Sequence, residues 1–100
     1  MALVFNTTTV DLTTANTEYS FTTTSLRRIV FRCRNQSIDI RYSFTTGDVA
    51  TPSGSYMSLS GGNIFSIDLI AASVIISSWT IYFGCAFANQ VIEIDYTREV

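Results

Sequence analysis

The chain contains no lysine and no histidine, and its 100 residues include one proline and two cysteines. Without lysine there is no Schiff-base nucleophile and no phosphate-loop ammonium. Without histidine there is no imidazole base, no histidine-based triad and no imidazole metal ligand. Charge is also scarce, at 14% of residues with a net value of −2, so the chain is not built to neutralise many phosphates. No basic run suggests a nucleic-acid patch. Helix formers are few. Ala, Leu, Glu, Gln and Met total 19 residues, against 32 for Val, Ile and Thr. Beta-branched side chains are stiff at χ1 and suit a pleated surface, which argues against a helical bundle.

What is present is apolar and hydroxyl-rich. There are 14 Thr and 12 Ser, and 47% of residues are hydrophobic, the opposite of a disordered composition. The length allows one domain over 1–100, with a folded surface of about 5,600 Å² from size scaling. The N-terminal Met1–Asn6 stretch has no basic region and no long apolar run, so no secretory leader is expected. Cys33 and Cys85 are then expected as buried thiols. The 24 uncharged residues from Leu69 to Ile92 are long enough to span a membrane. Interruption by Ser73, Ser77, Ser78 and Thr80, and alternation in the second half, favour strands, and no membrane partner is expected.

Three hairpins are predicted from period-two alternation. A turn at Asn35-Gln36 would pair Cys33 with Ile38, Phe31 with Ile40 and Ile29 with Tyr42 inside, and Arg32 with Asp39 outside. A turn at Asn89-Gln90 would pair Phe87 with Ile92, Cys85 with Ile94 and Phe83 with Tyr96. A turn at Gly61-Gly62-Asn63 would pair Leu59 with Phe65 and Met57 with Ile67. Residues 45–55 read as a loop and 17–23 as a strand. Residues 1–16 read either as a first strand or as an extended N-terminal arm whose apolar side chains Leu3, Phe5, Val10 and Leu12 reach a neighbour. The sum is seven or eight short strands, expected as an all-β, antiparallel sandwich with a jelly-roll-like arrangement.

Chemistry is harder to find. Asp39, Glu93 and Asp95 fall on outer strand faces without acid/base spacing, and neither thiol has a histidine to activate it. No enzyme activity, cofactor or metal is expected. The clustered charge is guanidinium: five of six arginines lie between Arg27 and Arg41. Arg28, Arg32 and Arg34 share a strand face, and with Arg41 they are the candidate interaction face for an acidic partner or phosphates. Tyr56 and Tyr82 fall opposite the core stripe and are candidate sugar platforms.

The run from Ile29 to Tyr96 resembles small β-sandwich virion proteins of tailed phages. The likeness is carried by Ile-Val-Phe-Arg-Cys-Arg-Asn-Gln-Ser-Ile-Asp-Ile, by Ser58-Leu59-Ser60-Gly61-Gly62, by Trp79-Thr80-Ile81-Tyr82-Phe83 and by Val91-Ile92-Glu93-Ile94-Asp95-Tyr96. The resemblance is one of pattern, covers roughly 70 residues and transfers no functional residue. It implies a capsid decoration or cement protein, made in the host cytoplasm and housed in the virion. Its partners would be capsid subunits and further copies of itself, with no nucleic acid. A tail or neck protein and a carbohydrate-binding module are the alternatives.

Overall fold

Alternating beta-branched and polar stretches extend into seven strands, and no helix forms among the described residues. The structure is a computed structural model, and residues 2–100 are described. In chain order the strands are β1 (Leu3–Leu12), β2 (Tyr19–Cys33), β3 (Ile40–Ser43), β4 (Met57–Leu59), β5 (Phe65–Asp68), β6 (Ile76–Gly84) and β7 (Gln90–Glu99). All pairings are antiparallel and join into one sheet in the order β1-β7-β2-β6-β3-β4, with β5 also on β2. The all-β, single-domain expectation holds. The ladder runs through one sheet, not the two separate sheets of the sandwich that was expected.

β2 organises the sheet because its two halves take different neighbours. Residues 19–26 pair with β6, while residues 26–33 lie between β7 and β5. At the switch the register with β7 slips between Leu26 and Arg28, and Ser25 takes a positive φ of 53°. A bulge and a left-handed residue bend a strand sharply. The sheet therefore folds over onto itself. Phe31, in the second half of β2, meets Phe83 of β6 at 5.0 Å and Tyr42 of β3 at 5.4 Å between ring centroids.

Leu12, Leu26, Ile29, Phe31, Cys33, Ile40, Ile81, Phe83, Cys85, Ile92 and Ile94 form the core, each at most 5% exposed. Both cysteines are buried and free, as expected. Val49, from the loop after β3, is also buried. Gly84 makes room for it, since a Cβ there would lie 2.3 Å from the Val49 carbonyl oxygen.

None of the three predicted hairpins forms. β2 does not pair with β3, β6 does not pair with β7, and β4 does not pair with β5. The turns themselves exist. The Ser37 N–H donates to Asn35 Oδ1, Asn89 has φ of 58°, and the Asn63 N–H donates to the Ser60 carbonyl with Gly62 at φ 84°. They hand the chain to a different part of the folded sheet instead of returning it alongside the preceding strand. Two placements fail with the pairings: Phe87 is 53% exposed and Met57 is 61% exposed. Of the predicted strand at 17–23, residues 19–23 are the beginning of the longer β2. Among the described residues no helix is long and apolar enough to cross a membrane.

Candidate functional site

The arginine stripe lies on the outer face where β2 meets β7. Residues 28, 32 and 34 alternate with buried Ile29, Phe31 and Cys33, so they project away from the core. The register sets Arg32 directly opposite Glu93. Arg32 Nε donates to Glu93 Oε1 at 3.0 Å, Arg34 Nε donates to Glu93 Oε2 at 2.9 Å, and Arg28 lies 3.3 Å from Asp95. Glu93 thus holds two guanidinium groups. The hydrogen bonds from Arg34 and then Arg32 keep its carboxyl below the usual carboxylate range. Asp39, expected opposite Arg32, instead accepts the Gly61 N–H at 2.9 Å, because β3 pairs elsewhere. The stripe borders a shallow groove of about 670 Å³, with Thr7 and Thr9 of β1, Glu93 and Asp95 of β7, and Ile64 on its walls.

Arg41 does not join this face. It is 8% exposed, and its Nη1 donates to Asn16 Oδ1 at 3.0 Å and to the Val49 carbonyl at 3.2 Å. Its guanidinium also lies 5.5 Å from the Tyr56 ring centre. Arg41 ties the loop after β3 to the β1–β2 connection and is a structural residue. Arg27 is likewise buried, with Nη1 bonded to Glu99 and Nη2 to the Ile70 carbonyl at 3.1 Å.

Of the candidate arm residues, Leu12 is buried, Leu3 and Val10 are half-buried, and Phe5 is 69% exposed. Residues 3–12 form an in-register strand on β7 of the same chain. The next residues are also held, since the Asn16 N–H donates to the Cys85 carbonyl and the Asn89 N–H to that of Thr13. The segment is a first strand. It ends the sheet, so one of its edges is open.

Sequence reasoning missed that Phe44, just past β3, joins Phe31, Phe65 and Trp79 in a chain of rings. Phe65 stacks on Phe31 at 4.6 Å, Phe44 stacks on Trp79 at 5.0 Å, and Phe44 and Phe65 lie 6.2 Å apart. Phe44 is 46% exposed. The signal was that Phe44 continues the inward parity of Ile40 and Tyr42 past the end of the strand. Beside it, Tyr42, Phe44, Asp48, Tyr56 and Met57 line a second cleft of about 420 Å³. Tyr56 enters that cleft, whereas Tyr82 does not line it. No cluster of three or more potential metal ligands occurs among the described residues.

No protein-family model, no curated protein and no solved structure matches this chain.

Proposed function

We propose that this protein is a non-enzymatic structural protein of a virus particle, of the capsid decoration or cement type, that joins subunits by surface burial. The observation that carries the reading is exposed apolar area on a chain with little charge. Phe5, Met57, Ile64 and Phe87 are each more than half exposed, and Phe44, Val74 and Ile75 more than two-fifths. Phe44 and Met57 line one cleft together and Val74 and Ile75 are consecutive, and apolar groups exposed side by side mark contact surfaces. Burying them here desolvates few ions, because the surrounding polar groups are mainly hydroxyls. The virion as the setting is supported by the sequence resemblance. Without the hairpin pairings, that resemblance comes down to aromatic strands separated by polar turns.

Quantitative mass spectrometry of virus particles purified from the culture that carries the gene tests the reading. Stoichiometric copies that survive washing support it, and absence from particles refutes it. The second cleft favours an alternative, a carbohydrate-binding module, because the rings of Phe44 and Tyr56 line it together with Asp48. A glycan array probed with the isolated protein separates the two. Binding that is lost in Phe44→Ala would replace the structural reading.

A further inference from the structure

We propose that the open edge of β1 pairs with β1 of a second copy, antiparallel, about a two-fold axis at Thr7. The proposal rests on the reading of the chain as an assembly protein and names one of its contacts. Ala2 and Val100 exchange both backbone hydrogen bonds, at 3.1 and 2.9 Å, and the register runs unbroken from there to Leu12–Gln90. Hydrogen-bonded and non-hydrogen-bonded pairs alternate in an antiparallel ladder. Even-numbered residues of β1 therefore turn their N–H and C=O groups toward β7. Leu3, Phe5, Thr7, Thr9 and Asp11 turn theirs to the open edge.

Proteins normally guard such an edge with lysine, proline, a bulge or brevity. β1 has ten residues, a continuous register, neither lysine nor proline, and Asp11 as its sole charge. The other sheet ends are short, with three residues in β4 and four in β5. The occupant follows from the pattern of free groups. An axis at Thr7 sets Leu3 opposite Asp11, Phe5 opposite Thr9, and Thr7 opposite itself, so every outward residue is used, for about ten new hydrogen bonds. An axis moved to Phe5, Asn6, Thr8 or Thr9 leaves at least one outward residue without a strand partner. With the axis at Thr7, Phe5 covers part of its exposed ring on the Thr9 side chain of the other copy, an aromatic to beta-branched contact. The two Asp11 carboxylates lie eight strand positions apart, about 27 Å, beyond the screening length at physiological salt. The contact is isologous and closes at two copies.

Light scattering and sedimentation of the full chain, with three variants, test the proposal. The Thr7 N–H serves no bond in its own sheet, so Thr7→Pro should keep the circular dichroism of the parent and lose the dimer. The Thr7 Cα atoms of the two copies should be about 5.5 Å apart, within disulfide range, whereas the Thr9 Cα atoms should be more than about 13 Å apart. Mild oxidation should therefore cross-link Thr7→Cys as a dimer and leave Thr9→Cys uncross-linked, with the buried native cysteines silent. A parent chain that stays monomeric at about 100 µM overturns the pairing. So does Thr9→Cys cross-linking as readily as Thr7→Cys. A monomer found in particles would remove the pairing and keep the structural reading; a dimer absent from particles would do the reverse.

Discussion

Phe31→Ala tests whether the sheet closes over itself as described. Phe31 is fully buried and contacts three rings: Phe65 stacked at 4.6 Å, Phe83 edge-on at 5.0 Å and Tyr42 edge-on at 5.4 Å. These rings come from β5, β6 and β3, so truncation leaves a void where the folded halves of the sheet meet. Truncating a buried Phe costs about 3–5 kcal/mol, and contact on three sides leaves little room for collapse, which places this site at the upper end. A domain of this size has about 5–15 kcal/mol in total. The variant should lose a third or more of its stability, and its midpoint should fall by about 20 °C. Urea unfolding followed by circular dichroism measures the loss, with Phe87→Ala as the matched control. Phe87 is 53% exposed, so its truncation should cost about 1 kcal/mol or less. The local alternation of the sequence would put both rings in the core. Equal losses from the two variants, at equal slopes in urea, would refute the folded-over arrangement.

Other outcomes follow from particular residues. Ser25 bends β2 at φ 53°, so Ser25→Val should cost about 1–2 kcal/mol while Ser25→Gly is neutral or better, read by the same unfolding assay. Burial raises the Cys33 thiol pKa, so native protein should resist alkylation at mildly alkaline pH and take two labels in denaturant without reductant; no labels would mean a bridge. Glu93 has a depressed carboxyl pKa, so its pairing stabilises fully above the ordinary carboxylate value and is lost as pH falls through the lower folded one. The gap in melting temperature between parent and Glu93→Gln should be steady above about pH 5 and close below it, and a gap that widens in acid contradicts the assignment. Glu99→Ala removes one partner of buried Arg27, whose bond to the Ile70 carbonyl remains, and should cost about 2 kcal/mol by urea unfolding, whereas Arg32→Leu on the exposed stripe should cost about 1 kcal/mol or less.

Facing was legible in the sequence, and pairing was not. Period-two alternation placed Ile29, Phe31, Cys33, Ile40, Phe83, Ile92 and Ile94 inside, and all are buried, whereas Phe87 and Met57, placed inside by the same rule, are exposed. The same alternation cannot say which strand lies alongside, because hydrogen-bond partners are chosen by the backbone path beyond the turn. Asn35 and Asn89 do mark turns, yet both lead into a strand that does not pair with the one before. The bend in β2 had no signal of its own, since Ser25 sits inside a polar Thr-Thr-Thr-Ser run that reads as continuous strand. The arginine face was legible as far as parity goes: Arg28, Arg32 and Arg34 share it. Arg41 lies in another strand and fell out once β3 was seen beside β6.

The missing lysines bear on assembly as much as on catalysis. Lysine on an edge strand is a common guard against pairing with another chain, because its ammonium must be desolvated before a second strand can dock. This chain has none, and its longest open edge, β1, is threonine-rich at its centre, Thr7-Thr8-Thr9. Threonine suits both states of such an edge. Its hydroxyl is hydrated when the edge is free, and its branched Cβ packs well in a sheet when the edge is covered. The arginines do not replace the guard, since Arg28, Arg32 and Arg34 are held by Asp95 and Glu93 on the sheet face, two strands in from that edge. Thr7→Lys would restore it by setting two ammonium groups face to face across the proposed axis. The dimer should then be lost at low ionic strength and partly recovered in high salt, and a salt-independent dimer in that variant would place the contact away from β1.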